Sequence, residues 1–161
     1  MKIRPIDAEN QDEQTLVAER MRLTLEEVMG AERGGNYYSM EWLRNRLLQH
    51  LDPEQSTAQV FVAEDADDGI QGHTIVRVEQ DEQGQPFGLY STTYVVPEAR
   101  RRRVANLLVE AGEEWLLAQG MRRLATDTAR GNGKLIHLFE RRGYHVVLKT
   151  EEMLRLQKDF A

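Results

Sequence analysis

Residues 94–108 read Tyr-Val-Val-Pro-Glu-Ala-Arg-Arg-Arg-Arg-Val-Ala-Asn-Leu-Leu, an apolar strand that runs through a proline turn and four arginines into an amphipathic helix. A chain that leaves a strand by a short turn and at once opens a helix has several backbone N–H groups unpaired and pointing one way. With the helix dipole behind them they form an anion site, and phosphate is the natural guest. The same arginines also read as a solvated surface run, the usual fate of a charge cluster. Any fold for this chain must present that turn at the end of a sheet.

At 161 residues the chain is expected to form one domain over 1–161, large enough to bury roughly two thirds of its unfolded surface. It has no cysteine, which removes disulfides, thiolate metal sites and thiol nucleophiles. No metal site is expected. No stretch approaches the roughly 20 apolar residues that span a bilayer, and residues 1–10 lack a secretory apolar core, so a cytoplasmic protein with no membrane partner is the expectation.

Charge is divided unevenly. Residues 1–79 hold 16 acids and 8 Lys or Arg, while residues 80–161 hold 11 acids and 13 bases. The second half can hold a polyanion, and the acidic first half can concentrate a cationic small molecule. Glu64-Asp65-Ala66-Asp67-Asp68 and Asp81-Glu82 also read as polar hairpin tips. No extended basic face with interleaved aromatics is present, so nucleic acid is not an expected partner.

In chain order, residues 2–6 read as a strand and 12–29 as a helix ended by Gly30. Gly34, Gly35, Tyr37 and Tyr38 lie in a loop that is either a mobile contact loop or a plain interhelix turn. Ser39 caps a second helix with Trp42 in its first turn, and Asp52-Pro53 ends it. Three strands at 58–64, 70–79 and 87–96 follow in antiparallel order. Residues 104–119 form a helix stopped by Gly120, 123–128 a strand, and Asn132 starts a helix that ends at Gly143. Strands at 144–149 and 152–157 close the chain. On strict alternation Tyr90, Thr92 and Tyr94 share one face of the fourth strand, with Ser91 and Thr93 on the other.

This order resembles the GNAT superfamily of acetyl-CoA-dependent N-acetyltransferases, and the likeness is sharpest from Tyr94 to Tyr144. The family's loop signature falls on Arg100 to Ala105, with Arg103 where glycine is usual. Its second signature falls on Asn132, Leu135, Leu138-Phe139-Glu140 and Gly143-Tyr144. The resemblance implies an α/β (α+β) fold with a mostly antiparallel mixed sheet of about seven strands, splayed between strands four and five, and about four helices. It implies acetyl-CoA as acetyl donor. Val95 and Val96 would pair with the pantetheine arm, the amides from Arg101 to Asn106 would cradle the pyrophosphate, and the side chains of Arg100, Arg101, Arg102 and Arg103 would add phosphate contacts. That cradle includes Val104 and Ala105. Asn132 would lie near the cofactor arm or serve only as its helix cap. Dimers are common in the family, and the closing strands or the first helices offer an interface.

Two departures stand out. Arg103 must manage without glycine's freedom, which it can do with helical dihedrals and an outward side chain. Phe139 occupies the slot where many members carry a tyrosine that protonates the leaving thiolate, so solvent, Tyr94, His137 or Tyr144 must do so. The reaction needs a deprotonated amine, a positioned thioester and an oxyanion donor, expected as a backbone N–H near Val96. Asp127, at the end of the fifth strand, is the candidate base or else a binder of loop amides; its surroundings are weakly similar to those in aminoglycoside 6′-N-acetyltransferases. Tyr94 is the second catalytic candidate, and Tyr37, Tyr90 and Thr92 are the candidate acceptor-binding residues. The expected function is acetyl transfer to a primary amine of a small cationic acceptor. Protein N-terminal or lysine acetylation and non-catalytic coenzyme A binding are the alternatives.

Overall fold

Among the described residues, seven strands pair into one sheet and four amphipathic helices lie on its two faces. The computed structural model describes residues 1–29, 39–100 and 103–161. The elements are β1 (Lys2–Pro5), α1 (Gln11–Met29), α2 (Met40–Leu51), β2 (Ala58–Asp65), β3 (Gly69–Gln80), β4 (Pro86–Val95), α3 (Val104–Ala118), β5 (Arg123–Ala129), α4 (Gly133–Arg141), β6 (His145–Lys149) and β7 (Met153–Asp159). A single 3-10 turn, Pro97–Ala99, separates β4 from the arginine run. Tyr37, Arg101 and Arg102 lie outside the described residues, as does the loop that holds Gly34 and Gly35.

Local signals set the helix ends. The Ser39 hydroxyl accepts from the Trp42 amide at 3.1 Å, and Asn132 caps α4 by accepting from Leu135. Gly120 and Gly143 take φ of 90° and 93° just beyond α3 and α4, a conformation that a side chain would strain.

The strand order is β1-β2-β3-β4-β5-β7-β6, antiparallel throughout except for β4 and β5. α1 and α2 cover one face through Val17, Met21, Leu43 and Leu47 against Val60, Val62 and Ile75. α3 and α4 cover the other through Val109, Leu116 and Phe139 against Val76, Tyr90, Leu124 and Leu156. Each such fully buried large side chain contributes roughly 1.5–3 kcal/mol.

The parallel pairing of β4 with β5 is short: Gly88, Leu89 and Tyr90 face Leu124, Ala125 and Thr126, and there it stops. Beyond Tyr90 the two strands part, which opens a fork in the middle of the sheet. At the same point β4 carries a bulge, because Tyr90 pairs with Val76 and Thr92 with the adjacent Ile75, leaving Ser91 extra.

The bulge overturns the shared face expected for Tyr90, Thr92 and Tyr94, since one extra residue inverts everything after it. Tyr90 points toward α3, where its hydroxyl donates to the Val109 carbonyl at 2.6 Å. Thr92 and Tyr94 lie on the α1 face instead: Thr92 Oγ1 is 3.0 Å from His73 Nε2, and the His73 and Tyr94 rings stack at 6.1 Å.

Candidate active site

The fork opens into a cleft of about 520 Å³ whose walls are the free half of β4, the first turn of α3 and the length of α4, with Thr24 of α1 at its far side. Val95, Arg100, Arg103, Ala105, Asn106 and Asn132 all line it, and so does Tyr94. No aspartate or glutamate is among the described residues of the lining, in a chain of net charge −6.

The first turn of α3 leaves backbone amides free toward the cleft. Arg103 is the N-cap of α3 and gives no side-chain cap, so the first intrahelical bond runs from the Leu107 amide to the Arg103 carbonyl. The amides of Val104, Ala105 and Asn106 are left without helical acceptors at the positive end of a 15-residue helix. Arg100 ties this turn to the strand, with Nε donating to the Val95 carbonyl at 2.8 Å and its guanidinium 5.6 Å above the Tyr94 ring.

Arg103 departs from its expected helical dihedrals: it sits at φ 63°, ψ 18°, and it is the one non-glycine residue with positive φ among the described residues. This is the left-handed conformation that glycine takes without strain, at about 1–2 kcal/mol for an L residue. A glycine at this position would keep the same dihedrals without the strain and without the cation. Arg103→Gly is expected to raise folding stability by about 1 kcal/mol in urea denaturation and to weaken coenzyme A binding severalfold by calorimetry, because a cation leaves the cleft.

The backbone donor expected near Val96 is not the Val96 amide itself. The Val96 amide donates to the Gln71 carbonyl at 2.9 Å, across the ladder to β3. By alternation Tyr94 and Thr92 also turn their backbone groups toward β3, so those of Thr93 and Val95 face the fork. Val96 has no amide to offer a ligand there.

The proton donors sort by burial. Phe139 is fully buried, edge-on to Tyr90 and Tyr144 with ring centroids at 5.1 and 4.9 Å. Tyr144 donates its hydroxyl to Glu113 at 3.2 Å, and burial with that carboxylate pushes its phenol well above the ordinary value. Tyr94 and His137 remain on the cleft wall.

Asp127 lies away from the cleft lining, on the sheet face shared with α1 and α2. Pairing carries that face from Ile75 and Arg77 through Leu89 to Ala125, two residues before Asp127. Arg155 grips both its oxygens, at 2.6 and 2.8 Å, while stacking 5.1 Å above the Phe87 ring, and this bond holds the guanidinium pKa up. Sequence reading missed Arg155; its only signal was its place in the alternation of β7, and its register opposite Asp127 is a long-range fact.

Two comparisons bear on this geometry. Residues 23–144 match the acetyltransferase (GNAT) family. The chain belongs to that family. It is accordingly an acetyltransferase, with acetyl-CoA as acetyl donor. No curated sequence matches the chain.

Solved structures similar to it include a PaiA N-acetyltransferase from Thermoplasma acidophilum in complex with coenzyme A, at 14% identity and TM-score 0.77, covering 99% of this chain and 98% of that one. A ribosomal-protein-alanine N-acetyltransferase from Brucella melitensis is similar at 16% identity and TM-score 0.76 over 99% and 100% of the two chains. An aminoglycoside 6′-acetyltransferase type Ii is similar at 17% identity and TM-score 0.72 over 99% and 97%. At such identities the likeness is one of fold. The family's seven-stranded mixed sheet with its parallel β4–β5 step is present here.

Proposed function

We propose that this acetyltransferase moves the acetyl group from acetyl-CoA directly to a primary amine of a small cationic acceptor within a ternary complex. The observation that carries this reading is the fork: the sheet parts beyond Tyr90, and the cleft, with no acid among its described lining residues, meets the opposite face beside Tyr94 and Thr92. The donor would lie along β4, with its pyrophosphate on the amides of Val104 to Asn106 and its thioester directed to the fork. Thr93 and Val95 have backbone groups aimed where the pantetheine arm and the developing oxyanion would sit.

The acceptor would approach from the α1 and α2 face. The acidic first half of the chain favours a cation there, and Thr92 and Asp127 supply oxygens on that face. In this scheme the amine loses a proton, its lone pair attacks the thioester carbon, and the C–S bond breaks with its electron pair kept on sulfur. Tyr94 is the proposed donor to that sulfur. Asp127 is the proposed base, and a cationic acceptor would have to compete with Arg155 for its carboxylate.

Thiol release from acetyl-CoA should be measured across polyamines, aminoglycosides, amino acids and short peptides. Turnover on small amines is expected, and turnover confined to peptide amines would overturn the acceptor assignment. Asp127→Asn should lower kcat by about 100-fold and remove the acidic limb of its pH profile. An unchanged rate and profile would leave Asp127 only the anchor of Arg155.

A further inference from the structure

His73 is a buried polar side chain that the acetyl transfer outlined above does not use. It is wholly buried on β3, on the α1 face of the sheet, and among the described residues its ring makes one hydrogen bond, between Nε2 and Thr92 Oγ1 at 3.0 Å. Its Nδ1 is buried without a partner. Burial holds its pKa far below neutrality, so the ring is neutral and carries a single proton. On Nδ1 that proton would be an orphaned buried donor, the costlier fault; on Nε2 it is bonded. His73 therefore donates and Thr92 Oγ1 accepts.

β3 pins Thr92 a second time. Thr74 Oγ1 lies 3.1 Å from the Thr92 carbonyl oxygen, to which it can only donate. Adjacent residues of β3 thus hold Thr92 by its backbone and by its hydroxyl oxygen. The hydroxyl has one hydrogen, and neither bond uses it. Thr92 is half-buried, and the bulge at Ser91 has turned it to the α1 face, so that hydrogen is left for a group outside the protein on that side.

We infer that His73, acting through Thr92, makes the acceptor site favour amines that carry a hydrogen-bond-accepting oxygen near the reacting nitrogen. This rests on the proposal that a small amine reaches the fork from the α1 and α2 face, and it adds a chemical group to that amine. An ether, hydroxyl or carbonyl oxygen takes the Thr92 hydrogen. An all-carbon spacer leaves the Thr92 O–H desolvated and unbonded, the fault by which a polar site rejects an analogue. His73 touches no reacting atom and is a positioning residue.

Two diamines of equal length isolate that oxygen: 1,5-diaminopentane and 2,2′-oxybis(ethylamine), whose central methylene is replaced by an ether. Thiol release from acetyl-CoA, referred to the free-amine concentration, should give the ether a kcat/KM about tenfold higher. Thr92→Val should bring the ratio to about one. His73→Gln, which keeps an N–H donor, should hold most of the preference, and His73→Leu should lose it while still binding coenzyme A, which reports an intact fold. Ring 15N shifts of the wild type should place the His73 proton on Nε2. Equal wild-type rates for the two diamines, a ratio that survives Thr92→Val, or a proton on Nδ1 would overturn the inference and leave the small-amine reading in place. No turnover of either diamine would also overturn it, and turnover confined to peptide amines would overturn the small-amine reading with it.

Discussion

Lowering the pH from 7 to 5 should remove about 4 kcal/mol from the folding stability of this protein, an effect assigned to two buried histidines. His73 is wholly buried on β3 and His50 is 4% exposed on α2. Burial, with Arg20 nearby, pushes the His73 pKa down to about 3; burial, with Arg46 and Arg77, pushes His50 down to about 4. The Nδ1 of each ring has no partner, so a proton placed there would gain no compensating bond.

In the unfolded chain both rings protonate near their ordinary value of 6.5. Below that pH the unfolded state binds more protons than the folded one, so stability rises with pH and falls as the solution is acidified. By pH 5 each ring has lost about 2 kcal/mol of relative stability at 1.36 kcal/mol per unit. The carboxylates held low by arginine, Glu13, Glu64 and Asp159, act only near and below their ordinary values of 4.5 and 3.8, so the window from 7 to 5 belongs to the imidazoles. Urea midpoints across that range measure it. His50→Gln should halve the slope, and a flat curve in the wild type would mean that the rings take up protons without opening the fold.

The second large effect concerns the tie between the two cleft walls. Glu113 of α3 bonds Arg142, at the end of α4, at 3.0 Å and also accepts from Tyr144. The pair has side-chain exposures of only 11% and 22%. Breaking a fully buried pair costs about 3–5 kcal/mol because a charge is left behind without its partner. Arg142 keeps part of its side chain in water, so Arg142→Met should cost about 2 kcal/mol. It should also weaken coenzyme A, since α4 would lose its tie to α3. The double variant Glu113→Gln, Arg142→Met should recover most of the stability, with Tyr144 still donating to the amide oxygen. If the double variant is as unstable as Arg142→Met alone, the stranded charge is not the cause.

Much of this architecture was legible in the chain. Ser39, Asn132, Gly120 and Gly143 announced the helix ends because caps and left-handed stops are local chemistry. The step from β4 into the helix at Val104 was legible for the same reason. What could not be read was set by pairing at a distance. Ser91 carries no mark of a bulge, since the extra residue is defined only by what β3 offers opposite it. Val96 lost its expected role to Gln71, 25 positions earlier in the chain, and Asp127 met Arg155 through the register of β5 with β7. Arg103 was recognisable as a departure, yet its left-handed backbone depends on how the turn closes and not on the arginine itself.

Ser91 acts as a parity bit for the active strand. With it, Thr92 and Tyr94 face one compartment and Thr93 and Val95 the other; without it, every side chain from 92 to 95 would exchange compartments at once. A deletion of this single residue would thus swap the strand's α1-facing and α3-facing surfaces while leaving its composition almost untouched.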